Sequence, residues 1–231
     1  WLTVARHVGQ GEKVTTPLFE QKLDEVDPIT FIEVDELCSF FRNPQNSFLR
    51  QSLGIYIRDD TNDWLNVEPF DLADFADSNI RSISLEQTKV GKANTSMAMA
   101  KASGMLPHGL QGEILQSIEH EKVSTLVDGA EPEFLNQALP PIVVDLYIDG
   151  VNLAGALRGL RPEGQLLLIA EKLHPWQKIQ LWLKHIVLCC VNPRGIQCVT
   201  KVISLEDTLV FEKVDDPELL LAEWVKAYCD G

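Results

Sequence analysis

The segment from Val144 to Leu173 constrains the fold of this chain more than any other. It reads VDLYIDGVNLAGALRGLRPEGQLLLIAEKL, and apolar and polar residues alternate on both sides of Asp149-Gly150. An Asp-Gly pair between alternating runs is a strong signal for a hairpin with a two-residue type I′ turn, which sets Ile148 opposite Val151. Together with QLLLIAEK, the segment predicts three consecutive antiparallel strands. The residues that then share the polar face of the hairpin are Asp145, Tyr147, Asn152, Ala154 and Arg158.

Composition is typical of a soluble globular domain, with 231 residues of which 45% are hydrophobic and 23% charged. The formal net charge is −14, from 34 acidic and 20 basic residues. Because phosphate contacts dominate nucleic-acid affinity, this balance argues against a broad DNA-binding face. The acidic excess is either a solvated surface, which is the simpler interpretation, or a face that docks a basic partner.

Neither a membrane span nor a secretory signal is visible. No apolar run approaches the roughly 18–20 residues needed to cross a bilayer, and the N-terminus WLTVARHVGQGEKV lacks the compact apolar stretch of a signal peptide. The odd number of cysteines and the absence of CxxC or zinc-type spacing indicate reduced thiols and a cytoplasmic location. The five cysteines are Cys38, Cys189, Cys190, Cys198 and Cys229.

The order of predicted elements indicates a mixed α/β (α+β) fold with a sheet core flanked by helices. Residues 1–28 are predicted to be an arm or linker from a longer chain, and 29–231 a single domain. Helices are predicted over 34–42, from Pro44 to Gly54, over 70–89, 94–103 and 110–128, and from Pro175 and Pro217 onward. Short strands are predicted at 29–32, 196–203 and 208–213, in addition to the three strands of the central segment.

The central segment resembles the strand core of PD-(D/E)xK nucleases, in which carboxylates hold a divalent metal and a lysine stabilises developing charge. The positions that correspond to the two acids carry Arg158 and Ala170, whereas the lysine is retained as Lys172. Arg158 would place a cation where the metal must bind, and Ala170 offers no oxygen ligand. The resemblance therefore implies a nuclease-like fold whose catalytic site is degenerate.

Three acids are alternative ligands for such a site. Glu171 is adjacent to Ala170 but points to the opposite face of a regular strand, so only a bulge would re-aim it. Asp145 is a solvent-facing strand position, and Glu113 lies on a predicted helix that often carries a further ligand in such nucleases. The five histidines are scattered, and no P-loop, GxGxxG or GxSxG motif occurs, so no cofactor is predicted. The aromatic residues Phe40, Phe41, Trp176 and Trp182 are predicted to be core.

Several further motifs resemble the C-terminal domain of RecC, the gamma subunit of exodeoxyribonuclease V (the RecBCD complex). They are FFRNPQNSFLRQSLGI (40–55), LPHGLQGEI (106–114), DGVNLAGALRGLRPEGQLL (149–167), QLWLKHIVLCC (180–190) and the closing AEWVKAYCDG. Each motif is modest, but their order and spacing cover most of residues 29–231. Related nucleases often have Cys-Pro in the first helix pair, where the cysteine binds an iron–sulfur cluster. Asn43 stands at that position here, so no cluster is expected.

The resemblance implies a domain without its own enzymatic activity. The expected role is that of a scaffold that docks RecB-like and RecD-like helicase subunits and supports the DNA path during double-strand break repair by homologous recombination. Two other hypotheses stay open: a weakly active metal-dependent nuclease that uses Glu113, Asp145 or Glu171 with Lys172, and a stand-alone DNA-binding module. The cations predicted to contact DNA are Arg42, Arg50, Arg158, Arg161 and Lys172.

Overall fold

The structure is a computed structural model that describes residues 28–56, 74–89, 95–102, 104, 106–130 and 138–230. Almost all of the predicted arm, 1–28, lies outside these residues. Within the described part of the chain, no helix has the length and apolar character needed to cross a membrane.

The first sheet contains the predicted hairpin. Its strands are β1 (Phe31–Glu33), β2 (Ile142–Ile148) and β3 (Val151–Leu157), in the spatial order β1-β3-β2. β2 and β3 are antiparallel with Ile148 opposite Val151, as the sequence predicts, and β1 runs parallel to β3. Asp149 and Gly150 have φ angles of 47° and 89°, which are the two positive values that a type I′ turn requires.

The second sheet corrects the prediction of three consecutive antiparallel strands. Its strands are β4 (Leu160–Arg161), β5 (Gly164–Ile169), β6 (Thr200–Ser204) and β7 (Thr208–Phe211), in that spatial order. β5, the predicted third strand, pairs antiparallel with the two-residue β4 and parallel with β6, and it shares no ladder with β3. Gly159, with φ +71°, turns the chain between β3 and β4. The interruption at this glycine separates the two sheets.

The helices follow the predicted order. They are α1 (Val34–Arg42), α2 (Pro44–Leu53), α3 (Asp74–Lys89), α4 (Ser96–Ala102), α5 (Leu110–Asp128), α6 (Pro175–Val191) and α7 (Pro217–Cys229). α2 begins where Asn43 accepts a side-chain cap bond from the amide of Asn46 at 3.1 Å, and it ends at the left-handed Gly54. The predicted start of α3 at residue 70 lies outside the described residues. Strand limits differ from the predictions by several residues, which is usual for element ends.

The largest hydrophobic core lies between the inner face of the first sheet and the helices α1, α6 and α7. A smaller core lies between α3, α5 and the second sheet, where Leu85, Val123 and Ile203 pack together. Phe40, Phe41 and Trp182 belong to or pack against the large core, as predicted. Two mixed sheets flanked by helices confirm the predicted mixed α/β class.

Candidate functional site

Arg158 directly follows β3 and is exposed. Its backbone carbonyl accepts a hydrogen bond from the side-chain amide of Gln165 at 2.7 Å. Directly after it, the carbonyl oxygen of Gly159 accepts from the amide of Leu166 at 2.9 Å. Arg158 is therefore held beside the beginning of β5, with its guanidinium facing solvent.

Ala170 is the first residue after β5 and is only 6% exposed. It belongs to the smaller core, together with Leu85 and Ile203. Its carbonyl oxygen accepts a hydrogen bond from Nε of Arg81 at 2.7 Å. The position that the sequence predicts to correspond to a metal-binding carboxylate is therefore a buried methyl group, and its backbone carbonyl contacts a guanidinium.

Arg81 is part of a buried ionic cluster between α3 and α5. Its Nη1 lies 2.5 Å from Oε2 of Glu119, and these two side chains are only 12% and 5% exposed. The other oxygen of Glu119 accepts from Nζ of Lys122, also at 2.5 Å. Glu119 thus binds two cations. Through Arg81, which also donates to the carbonyl oxygen of Ala170, the cluster connects both helices to the end of β5.

Arg158 and Ala170, which the sequence predicts to be the degenerate positions of a nuclease site, are not brought together. The end of β3 lies beside Leu166, whereas Ala170 follows four residues later along the chain. At about 3.3 Å per strand residue, that distance is roughly 13 Å. A metal ion binds its oxygen ligands within about 2.0–2.6 Å, so side chains at these two positions could not share one ion in this arrangement.

Lys172 is a surface residue, with its side chain 66% exposed. Its Nζ pairs with Oε2 of Glu206 at 2.7 Å, and this hydrogen bond and the charge of Glu206 raise the pKa of Lys172. The neighbouring Glu171 accepts from Nε2 of Gln177 at 2.6 Å. These two contacts connect the loop before α6 to Glu206, in the turn after β6, and to Gln177 in the first turn of α6.

The remaining acids considered from the sequence lie on different elements. Glu113 lies exposed in the first turn of α5, and Asp145 lies exposed on the outer face of β2. Among the residues that the structure describes, no three His, Cys, Asp or Glu side chains form a group able to hold a metal ion.

The five predicted DNA-contact cations differ in accessibility. Arg50 and Arg158 are exposed. Arg42 is exposed too, and its guanidinium carbon lies 4.2 Å from the ring centroid of Trp176. The prediction that Trp176 is a core residue is therefore wrong, because this ring is half-buried and stacks with a surface arginine. Arg161 is buried, and its Nη1 donates to the carbonyl oxygen of Gly159 at 2.8 Å. Burial lowers the pKa of Arg161.

A buried polar chain, which sequence reasoning missed, leads to the carbonyl of Arg158. His185 on α6 is completely buried, and its Nε2 donates to the carbonyl oxygen of Glu212 at 2.8 Å. Its Nδ1 lies 2.9 Å from the hydroxyl of Thr200. That hydroxyl donates to Oε1 of Gln165 at 3.2 Å, and Nε2 of Gln165 donates to the carbonyl oxygen of Arg158. The chain joins α6 to β5, β6 and the end of β7, and burial lowers the pKa of His185.

The five cysteines, all of which lie in the described part of the chain, are free thiols. Burial is the main cause that raises the pKa of Cys38 to about 11 and that of Cys190 to about 12. Such thiols stay protonated near neutral pH and are poor nucleophiles.

Comparisons with known proteins identify the family. Residues 30–231 match the family model described as the RecC C-terminal domain. The chain is 26% identical over 196 residues to the RecBCD enzyme subunit RecC of Escherichia coli (strain K12), which covers 84% of this chain and 17% of that protein. It is 23% identical over 186 residues to the RecBCD enzyme subunit RecC of Buchnera aphidicola subsp. Schizaphis graminum, which covers 80% of this chain and 17% of that protein.

This chain belongs to the RecC C-terminal domain family, as the sequence motifs predict. It spans 17% of the length of each of these two relatives. The RecC relatives are named as subunits of the RecBCD enzyme, which is a multi-subunit assembly.

Proposed function

We propose that this chain is a non-catalytic structural domain of a RecBCD-type helicase–nuclease that acts in double-strand break repair. The observation that carries the proposal is the match of residues 30–231 to the RecC C-terminal domain family. In this role residues 29–231 form one domain that docks RecB-like and RecD-like helicase subunits in the cytoplasm. The chemistry of the complex would then reside in other subunits.

The geometry of the degenerate positions supports the absence of catalysis. Arg158 is a cation at the end of β3, and Ala170 is a buried methyl group beside the Arg81–Glu119 pair. Lys172, the one residue retained from the nuclease pattern, is occupied by Glu206 on the surface. Among the described residues, the carboxylates near Lys172 form no group of three that could hold a metal ion, so this lysine has no metal-bound water to act on.

Contact with DNA is proposed for the accessible cations Arg42, Arg50 and Arg158. These side chains can reach phosphate groups, whereas the guanidinium of Arg161 is buried and Lys172 is already paired. The net charge of −14 would limit DNA contact to such local sites, so the chain supports a DNA path within the complex and does not bind DNA alone.

Co-purification tests the scaffold role. The full chain is co-expressed with each helicase subunit, and the proposal expects a stable complex after affinity capture and size-exclusion chromatography. In parallel, the purified chain is incubated with labelled single-stranded DNA and Mg²⁺ or Mn²⁺, and no cleavage is expected. Cleavage that Glu113→Ala and Lys172→Ala abolish would contradict the proposal and establish a weakly active nuclease.

The same protein tests the alternative hypothesis that the chain is a stand-alone DNA-binding module. A salt-dependent mobility shift of the isolated chain with DNA at low ionic strength would support that module. The scaffold role expects no such shift without the helicase subunits.

A further inference from the structure

The outer face of the first sheet is uncovered by the described residues. Its inner face packs against α1, α6 and α7, but on the outer face Phe31 is 54% exposed, and Val143 and Tyr147 are each 77% exposed. Water-facing sheet surfaces are ordinarily polar, and grouped exposed apolar side chains mark interaction sites. We refer to this surface, formed by the outward side chains of β1, β2 and β3, as the outer face.

The strand register gives the outer face a defined shape. Phe31, Asn152 and Tyr147 form one row across the three strands. The side chains of β3 on this side beyond Asn152 are small, because Ala154 and Ala156 follow it. The taller side chains of the edge strands therefore border a shallow trough along β3, which can seat an apolar side chain from another molecule.

Two carboxylates frame the trough. Glu33, Ala154 and Asp145 form the row next to that of Tyr147, and both acids are exposed. At about 4.8 Å between neighbouring strands, the acids are roughly 10 Å apart, one on each side of the trough. Arg158 lies beyond the end of β3, which stops at Leu157.

We propose that the outer face docks a partner protein through an apolar segment bordered by lysine or arginine. An apolar side chain of the partner packs over Ala154 and Ala156, beside Val143 and Tyr147 of β2, and its basic residues pair with Glu33 and Asp145. This inference rests on the proposed scaffold role and identifies the surface used. The carboxylates disfavour nucleic acid here, and in a symmetric pairing of two copies they would face each other.

The test measures binding of the full chain to each helicase subunit, purified singly, by biolayer interferometry. The double variant Val143→Ser/Tyr147→Ser removes the apolar border, and Glu33→Lys/Asp145→Lys reverses the charges. Each is expected to weaken binding by about tenfold or more, because central aromatic and charged contacts dominate interface affinity. Circular dichroism spectra and urea midpoints verify that both variants fold.

Tyr56→Ser is the matched control, since Tyr56 is 72% exposed, three residues beyond the end of α2, and is not part of the three strands. Glu121→Lys, at an exposed position of α5, controls for the added charge. Both controls are expected to bind as the wild type does.

Four outcomes would overturn the inference. If the wild type binds a subunit and the two outer-face variants bind equally well, the inference is wrong but the scaffold role stands. If the wild type binds neither subunit, both fail. Self-association in sedimentation velocity that Val143→Ser/Tyr147→Ser abolishes would assign the face to a second copy. Binding of a single-stranded oligonucleotide that the same variant abolishes would assign the face to nucleic acid.

Discussion

Arg81 connects three elements, because its guanidinium contacts both the carbonyl of Ala170 and the carboxylate of Glu119. Arg81→Met would leave the buried Glu119 with only Lys122 as a partner. Removing one member of a buried ion pair typically costs about 3–5 kcal/mol, because the other charge stays desolvated. We expect a loss of about 3 kcal/mol in the free energy of unfolding, measured by urea denaturation.

Lys122→Met provides the control, since Lys122 binds the same carboxylate from a half-exposed position. An exposed ion pair contributes about 0–1 kcal/mol, so this variant should be nearly as stable as the wild type. Replacing Arg81 and Glu119 together with Met should cost less than the sum of the single changes. Equal costs for Arg81→Met and Lys122→Met would contradict the assigned role of the buried pair.

His185 should make stability depend on pH. Burial lowers its pKa below the ordinary value of 6.5, so between the two values the unfolded chain binds a proton that the folded chain does not. Stability contributed by neutral His185 is therefore present above about pH 6.5 and is lost as the pH falls toward the folded pKa.

The variant His185→Gln tests this linkage, because glutamine can donate to the carbonyl oxygen of Glu212 without titrating. The wild type should lose more unfolding free energy than the variant between about pH 7.5 and about pH 5.5, by up to about 1.4 kcal/mol for each unit of pKa difference. Urea midpoints at several pH values measure the difference. Parallel pH profiles for the two proteins would contradict the linkage.

At the scale of elements, Gly150 and Gly159 both have positive φ angles, but only Gly159 lies in close contact with another strand. A Cβ at Gly150 would meet nothing within 4 Å, whereas one at Gly159 would lie 2.5 Å from the carbonyl oxygen of Leu166. Gly150→Ala should cost about 1–2 kcal/mol for left-handed backbone. Gly159→Ala should cost on the order of 1–3 kcal/mol more, because it pushes β5 away from the end of β3.

Thermal and urea unfolding of the two alanine variants measure these costs. Gly150→Ala is the internal control for backbone strain alone. A Gly159→Ala protein as stable as Gly150→Ala would show that the connection between the two sheets is loose.

Elements governed by local signals could be predicted from the sequence. The Asp149-Gly150 turn and the alternation around it determine the hairpin register, and Pro44 and Gly54 mark the limits of α2. The partner of β5 could not be predicted, because its parallel pairing with β6 depends on how the connection that contains α6 crosses from one strand to the other. The Arg81–Glu119 pair was missed for a related reason: its members are 38 residues apart on separate helices, and no local pattern joins them.

At the scale of the whole molecule, the cations proposed to contact DNA should alter the salt dependence of DNA binding by the assembled complex. Each phosphate contact to single-stranded DNA contributes about 0.7 to the slope of log affinity against log salt concentration. Arg50→Ala and Arg158→Ala should each reduce the slope by about that amount. Lys172→Ala should leave it unchanged, because Lys172 is paired with Glu206.

Fluorescence anisotropy with a labelled oligonucleotide measures the slopes over a range of salt concentrations. An unchanged slope in both arginine variants would remove Arg50 and Arg158 from the DNA path. A reduced slope in Lys172→Ala would show that the ion pair with Glu206 opens in the complex.

The burial of Ala170 also bears on how this chain can evolve. An aspartate there would be enclosed beside Leu85 and Ile203, next to a guanidinium that already contacts the residue's own carbonyl oxygen. Placing a metal ligand there would require Arg81 and Glu119 to change as well, and each single step would leave a buried charge without its partner. Across related sequences, Arg81 and Glu119 should therefore be replaced together or not at all.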